Sequence, residues 1–217
     1  MSMARILLSL MVVLAMAGCQ QSPVARAKTV TAQSIALQPG DVSGLQRCSG
    51  SGDLQTVLGE EKATHQPGYY MNATEWEQWK TQGATEAYFA AYGRTPADCA
   101  ALSVAGTGAP TGGLMADLVV KFKDQAHAPK TFRAGATLLG FGPKDITFIK
   151  LVGGSVLTGS DTGLGPQSVI GSGAVAGTTY YFAFWQSKVI NSYLIAYDLP
   201  DANARGAARS VNQRMTS

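Results

Sequence analysis

Few side chains in this sequence can perform nucleophilic or proton-transfer chemistry. The 217 residues include three cysteines and two histidines. A serine hydrolase needs a nucleophile within hydrogen-bond reach of a base, and the G-x-S-x-G turn of many such enzymes is absent. His65 and His127 stand in unrelated contexts, and no two cysteines have the C-x-x-C spacing of a metal site. The sequence therefore predicts no catalytic residue, no metal site and no cofactor.

Asp161 and His127 define an alternative, which is a hydrolase with an unfamiliar site that acts on peptidoglycan or a small ester. Such a site requires the two side chains to lie within hydrogen-bond distance, directly or through one water. The residues are far apart in the sequence, so their approach depends on the fold.

A glycine-rich tract at 153–177 is the segment most suited to ligand binding, since it holds eight of the 25 glycines. Backbone N–H groups freed by glycine can cradle an anion or a polar ligand, and hydroxyl groups add donors. The candidate ligand-binding residues are Thr158, Ser160, Asp161 and Thr162, with Trp185 of the following aromatic segment as a second wall. The alternative interpretation of the tract is a flexible connector.

Hydrophobic periodicity predicts the elements that position these residues. Helical spacing over 74–92, with a capping box at Thr74 and Glu77 and Gly93 at the end, predicts an amphipathic helix. The other predicted elements are a half-buried strand at 116–123, a helix within 124–139, a strand at 146–152, a hairpin of strands at 178–185 and 189–197 with only one face in the core, and a final helix after Asp198-Leu199-Pro200. This order indicates an α+β domain with an antiparallel sheet and flanking helices.

Charge and composition limit the class of protein. The 17 Lys and Arg against 14 Asp and Glu give a net charge of +3, and no stretch gathers the basic residues into a stripe, so nucleic acid is not expected as a partner. The chain is 46% hydrophobic and 14% charged, which is typical of a folded domain with few surface charges.

The N-terminus carries a targeting pattern. Arg5 precedes an apolar run at 6–17, which is shorter than the roughly 20 residues that a spanning helix needs. The run ends in Leu14-Ala15-Met16-Ala17-Gly18-Cys19, which resembles the lipobox of bacterial lipoproteins. The resemblance implies that residues 1–18 are a signal peptide and that Cys19 becomes a lipidated N-terminus. The alternative is an ordinary secretory signal cleaved near Ala17.

The lipobox resemblance implies an exported protein anchored to a bacterial membrane by its lipid. Residues 19–36 are small and polar and are predicted to be a lipidated tether, followed by a globular domain at 37–217. Gln20 stands where an inner-membrane retention signal has Asp, which favours the outer membrane or the cell surface. Once Cys19 is lipidated, Cys48 and Cys99 remain as an even pair, and we expect a disulfide between them.

The order of elements over 114–215 resembles that of exported bacterial lipoproteins of unknown role and of the extracellular sensor domains of bacterial membrane kinases. The features that carry it are a strand ending near Asp124, an Ala-rich helix, a Gly-Leu-Gly loop at 163–165, a Trp-bearing hairpin and a C-terminal helix ending Asn212-Gln213-Arg214-Met215. The resemblance implies a non-enzymatic cell-envelope protein that binds a small ligand or another envelope protein. A structural spacer in the envelope is a further alternative.

Overall fold

The computed structural model describes residues 30–102, 112–128 and 132–217. Over these residues, eight strands form one antiparallel sheet with helices on both faces. The α+β class with an antiparallel sheet is therefore confirmed. The signal peptide, Cys19 and most of the predicted tether lie outside the described residues.

The order of strands across the sheet is β1-β3-β4-β8-β7-β6-β5, with β2 also paired to β3. The strands are β1 (Gln46–Arg47), β2 (Gly52–Asp53), β3 (Ala84–Gly93), β4 (Leu114–Phe122), β5 (Ser155–Thr158), β6 (Ser168–Val175), β7 (Thr178–Ser187) and β8 (Ile190–Tyr197). The helices are α1 (Ala32–Ile35), α2 (Leu54–Ala63), α3 (Tyr69–Thr81), α4 (Pro96–Leu102), α5 (Pro143–Leu151) and α6 (Asp201–Thr216). Short 3-10 turns occur at Pro39–Asp41, Phe132–Ala134, Thr137–Leu139 and Gly159–Thr162. Within the described ranges, no helix is both long and apolar enough to cross a membrane.

The central strands of the sheet are buried on both faces. Every residue of β8 is buried, and β4 is buried except at Lys121. Since successive side chains of a strand point to opposite faces, each face of the sheet needs a covering layer. The two layers are built from different parts of the chain.

One layer consists of α6 and of residues 30–45, which we call the strap. The face beneath it, the α6 face, includes Val119 of β4, Trp185 of β7 and Leu194 of β8. The strap contributes Ile35 and Leu37 to this core, and both are 1% exposed or less. Residues 32–36, which the sequence assigned to the tether, are thus part of the folded domain.

The other layer covers the α3 face of the sheet with α2, α3, α5 and the segment around Phe132–Leu139. Trp76 and Trp79 of α3 are buried against this face, and the Trp79 ring stacks on Tyr193 with ring centroids 5.8 Å apart. Ile149 of α5 and Leu139 are buried in the same core.

The prediction of one helix over 74–92 is half wrong. The helix begins at Tyr69 after Gly68, so Thr74 and Glu77 form no capping box, and it ends at Thr81. Gly83 then takes a left-handed conformation with φ +93°, and residues 84–93 form β3. Because β3 is apolar on both faces, it lacks the alternation that distinguishes a strand from a helix.

Two other predictions of secondary structure are wrong. Residues 146–152 lie mainly in α5 and not in a strand, since Pro143 begins a helix whose Asp145 carboxylate accepts a hydrogen bond from the Gly142 N–H at 2.7 Å. The predicted helix within 124–139 is replaced by turns, although Phe132 and Leu139 are buried as expected. Residues 129–131 of that segment lie outside the described residues.

The glycine-rich tract at 153–177 is not a connector, because it contains β5 and β6. Two of its glycines permit close packing: a Cβ on Gly171 would lie 1.9 Å from the Phe182 ring, and one on Gly154 would lie 2.6 Å from Ile149. Glycine in this tract therefore serves packing at these two positions and does not indicate a flexible segment.

The C-terminal elements follow the sequence prediction closely. β7 and β8 form the predicted hairpin through a turn at Lys188 and Val189, and α6 follows Pro200. Two details are corrected: the hairpin buries aromatic residues on both faces, with only Tyr180 partly exposed, and β4 is buried at every residue except Lys121. The Cys48–Cys99 disulfide is confirmed, and it ties the segment after β1 to α4.

Candidate functional site

A half-open surface cavity of about 210 Å³ lies where the strap meets α6, and its lining residues Gly40, Ser43 and Asn203 are exposed. Its lining comes from the strap, from β4, from the segment before α6 and from α6 itself: Gly40, Asp41, Val42, Ser43, Leu45, Met115, Leu199, Asn203 and Gly206. Pockets for drug-sized ligands measure about 300–1,000 Å³. This cavity therefore suits a smaller molecule.

The chemistry of the lining is mixed. Val42, Met115 and Leu199 supply an apolar wall, and Ser43 and Asn203 supply a hydroxyl and a side-chain amide. Apolar walls with a few polar groups that fix orientation are typical of small-molecule sites. The arrangement fits a small ligand with an apolar body and one or two hydrogen-bonding groups.

Arg214 of α6 holds the strap in place beside the cavity. Its guanidinium donates to both carboxylate oxygens of Asp41, at 2.5 and 3.1 Å. It also donates to the carbonyl oxygens of Ile35 and Ala36, at 2.9 and 3.2 Å. Because Asp41 is paired in this way, the cavity wall presents little net charge.

Asp117 is the second anchor of the strap and lies at the centre of the α6 face. Its side chain is fully buried, accepts a hydrogen bond from the Ser192 hydroxyl at 2.7 Å and accepts another from the Leu37 N–H at 3.2 Å. The Leu37 carbonyl in turn accepts from the Tyr92 hydroxyl at 3.1 Å. Burial raises the pKa of Asp117 to about 7, against the lowering effect of the Ser192 and Leu37 hydrogen bonds.

The strap has further polar contacts at its N-terminal end. Glu86 of β3 accepts from the Ala32 N–H at 2.8 Å, and Lys121 of β4 donates to the Val30 carbonyl at 2.7 Å. The strap is thus tied to β3, β4 and α6, and its cavity-lining end is fixed by the Arg214 contacts.

The structure gathers the predicted ligand-site residues at 158–162 at one turn, and among their side chains only the Thr162 hydroxyl is used in hydrogen bonds within the described part of the chain. The Thr162 hydroxyl bonds the Gly159 carbonyl at 2.8 Å and lies 2.6 Å from the Ser168 hydroxyl. Ser160 and Asp161 are exposed on the 3-10 turn, and Thr158 is exposed at the end of β5. A binding role for these residues stays a prediction.

Trp185, the predicted second wall, lies inside the α6 face and is completely buried. It pairs across the sheet with Ser168, so it is close to the predicted loop in the fold. Its indole Nε1 makes no hydrogen bond with the described residues. A ligand at 158–162 would meet Trp185 only if the core opened.

The structure does not join His127 and Asp161, the pair that the alternative hydrolase hypothesis requires. The His127 ring Nδ1 lies 2.5 Å from the Asp124 carboxylate, and this hydrogen bond lowers the pKa of Asp124. Asp161 lies on the turn between β5 and β6, near one edge of the sheet. His127 follows the C-terminal end of β4, and β8, β7 and β6 lie between β4 and β5 in the sheet. Over the described ranges, no cluster of three or more His, Cys, Asp or Glu side chains is arranged to hold a metal ion.

Sequence reasoning missed the cavity and the strap contacts beside it, although each had a signal. Asp117 stands in a mainly apolar strand, and a buried charge needs specific partners, here from the strap. Gly206 interrupts an amphipathic helix, where glycine costs about 1 kcal/mol relative to Ala and indicates a packing or functional reason. At Gly206 the structure shows open space where a Cβ would lie.

Comparisons with known proteins give weak structural similarity and no family. No family model matches the chain, and no curated protein matches it. A solved structure that does match is the extracellular domain of PknH from Mycobacterium tuberculosis, with 11% sequence identity and a TM-score of 0.36. The match covers 62% of this chain and 66% of that one. The match is a weak structural resemblance to an extracellular domain, and lipid anchoring lies outside it.

Replacing Asp117 with Asn should change how stability depends on pH. The folded pKa of Asp117, about 7, is above the ordinary value of 3.8, so its contribution to stability is fully present below pH 4 and is lost as pH rises towards 7. The introduced asparagine stays neutral, and it can accept from the Leu37 N–H while donating to the Ser192 hydroxyl oxygen. We expect the free energy of unfolding of Asp117→Asn to rise relative to the wild type between pH 4 and 8, by about 4 kcal/mol at most.

Urea unfolding at several pH values measures this difference. Asp161→Asn is the control, because it makes the same change of side chain at an exposed position. A difference between Asp117→Asn and wild type that is constant from pH 4 to 8 would contradict the role given to the buried carboxyl group.

Proposed function

We propose that this chain is a lipid-anchored protein of the bacterial cell envelope whose domain binds a small ligand without catalysis. The observation that carries the proposal is the cavity between the strap and α6, with its apolar wall and its Ser43 and Asn203 groups. The lipid anchor at Cys19 rests on the lipobox resemblance of residues 14–19.

The way the cavity is built supports binding. Its strap side is fixed by Arg214 through Asp41, and its floor includes Met115 of the buried strand β4. A cavity whose walls are fixed before binding loses little conformational entropy when it takes a ligand. The ligand class that fits is a small molecule, neutral or weakly polar, with a hydrogen-bonding group that meets Ser43 or Asn203.

The position of the strap also suits a tethered domain. Val30 is the first described residue, and the proposed lipidated Cys19 lies 11 residues before it. A segment of that length spans at most about 40 Å when fully extended. Ligand binding would therefore take place close to the membrane surface, at the outer membrane or the cell surface.

A substitution that fills the cavity tests the binding site. Gly206→Leu places a side chain in open space, at a helical position with no strained backbone. Native mass spectrometry of the full chain purified from its own host should show a small adduct on the wild type that is lost on denaturation. We expect Gly206→Leu to lose the adduct, because the leucine occupies the volume of the ligand.

Gly59→Leu is the matched control, since Gly59 also lies in a helix with open space around it but on an exposed surface of α2. Both variants gain about 0.8 to 1 kcal/mol of helix propensity, so a general gain in stability affects them equally. An adduct that persists in Gly206→Leu, or a wild type that carries none, would count against this site.

The lipid anchor is tested separately with Cys19→Ala. The wild type should take up a labelled fatty acid and sediment with membranes, because two or more acyl chains hold a protein stably at a bilayer. We expect Cys19→Ala to lose the label and the membrane fraction. A Cys48→Ala and Cys99→Ala double variant should keep both, and a Cys19→Ala chain that stays labelled would show that the lipid is attached elsewhere.

A further inference from the structure

The sheet has an open edge at β5. Among the described residues, β5 pairs only with β6, through Ser155 to Thr158. The outer side of an edge strand presents backbone N–H and C=O groups that can pair with another strand. Sheets commonly protect such edges with charged side chains, prolines or bulges, and the Ser-Val-Leu-Thr sequence of β5 has neither charge nor proline, with an unbroken register to β6.

An exposed apolar cluster lies beside this edge. Phe148 and Leu151 at the end of α5 are 48% and 80% exposed, and Val152, which follows, is 39% exposed. α5 leads into β5 through a short turn, so the cluster and the open edge are neighbours. Three large apolar side chains exposed together indicate an interaction surface more than a solvated one.

The edge is complementary to itself. Each end of β5 carries a hydroxyl residue, Ser155 or Thr158, and its middle carries Val156 and Leu157. Antiparallel pairing with an identical strand would set hydroxyl residues opposite hydroxyl residues and aliphatic residues opposite aliphatic ones. Such cross-strand pairs are the units that stabilise a sheet.

The charges at the two ends of the edge are also complementary. Lys150 lies before the start of β5 and Asp161 follows its end, and both are exposed. In an antiparallel pair, the start of one β5, which follows Lys150 of α5, meets the end of the other, which precedes Asp161. Lys150 of one copy and Asp161 of the other therefore belong to the same end of the contact, and two-fold symmetry repeats this arrangement.

We propose that the chain forms a two-fold symmetric dimer in which β5 pairs antiparallel with β5 of a second copy. The two sheets then become continuous, and the Phe148, Leu151 and Val152 clusters of the two copies are covered at the dimer contact. The proposal is independent of the ligand cavity, which lies beside β4 and the strap and not at the β5 edge.

The state of association of the full chain tests this proposal. Sedimentation equilibrium in a density-matched detergent should give a monomer–dimer equilibrium for the wild type. Leu151→Lys should raise the dimer Kd by about 100-fold or more, because it removes an apolar contact from both copies. Tyr70→Lys is the matched control, since Tyr70 is 79% exposed on α3, and it should change the Kd by less than about twofold.

A charge exchange identifies the strand orientation. Lys150→Glu alone and Asp161→Lys alone should each weaken the dimer by about tenfold, and the double variant should restore it to within about threefold of wild type. Restoration also shows that the single variants fold. A monomer at chain concentrations up to about 1 mM, or equal effects of Leu151→Lys and Tyr70→Lys, would overturn the proposal. A double variant no tighter than the single ones would overturn the antiparallel pairing.

Discussion

Burial of both faces of β4, β7 and β8 is the constraint on which the other elements depend. Antiparallel sheets often leave one face in water, but here both sides of the central strands are apolar and each must be covered. α2, α3 and α5 cover one face. α6 covers only part of the other, and the N-terminal strap covers the rest with buried residues such as Ile35 and Leu37. The strap is therefore a structural part of the core and not only the end of a tether.

The strap also connects the core to the candidate function. Arg214 and Asp117 hold its backbone on the sheet, and the residues that follow at 40–45 line the cavity. A small ligand in that cavity would contact the strap, β4 and α6 together. The segment that leads back to the proposed membrane anchor is thus the same segment that builds one wall of the candidate binding site.

The sequence predicted the elements that have strong local signals. The β7–β8 hairpin shows continuous strand character, α6 follows a proline at its first turn, and the two remaining cysteines allow one natural pairing. β3 was misassigned because an apolar run that is buried on both faces carries no clear period. α5 was misassigned because its apolar run is too short to distinguish a helix from a strand. The cavity was missed for a different reason: Asp41 and Gly206 are more than 160 positions apart, and only the packing of strap against α6 brings them together.

Amide hydrogen exchange of Leu37 is the most direct test of the central claim that the strap is locked onto the sheet. Its N–H donates to the buried Asp117 carboxyl group, and the Leu37 side chain is only 1% exposed. We expect this amide to exchange as slowly as that of Leu194 in β8, through global unfolding only. Exchange of Leu37 at the rate of a frayed terminus, with Leu194 still protected, would show instead that the strap opens independently of the core.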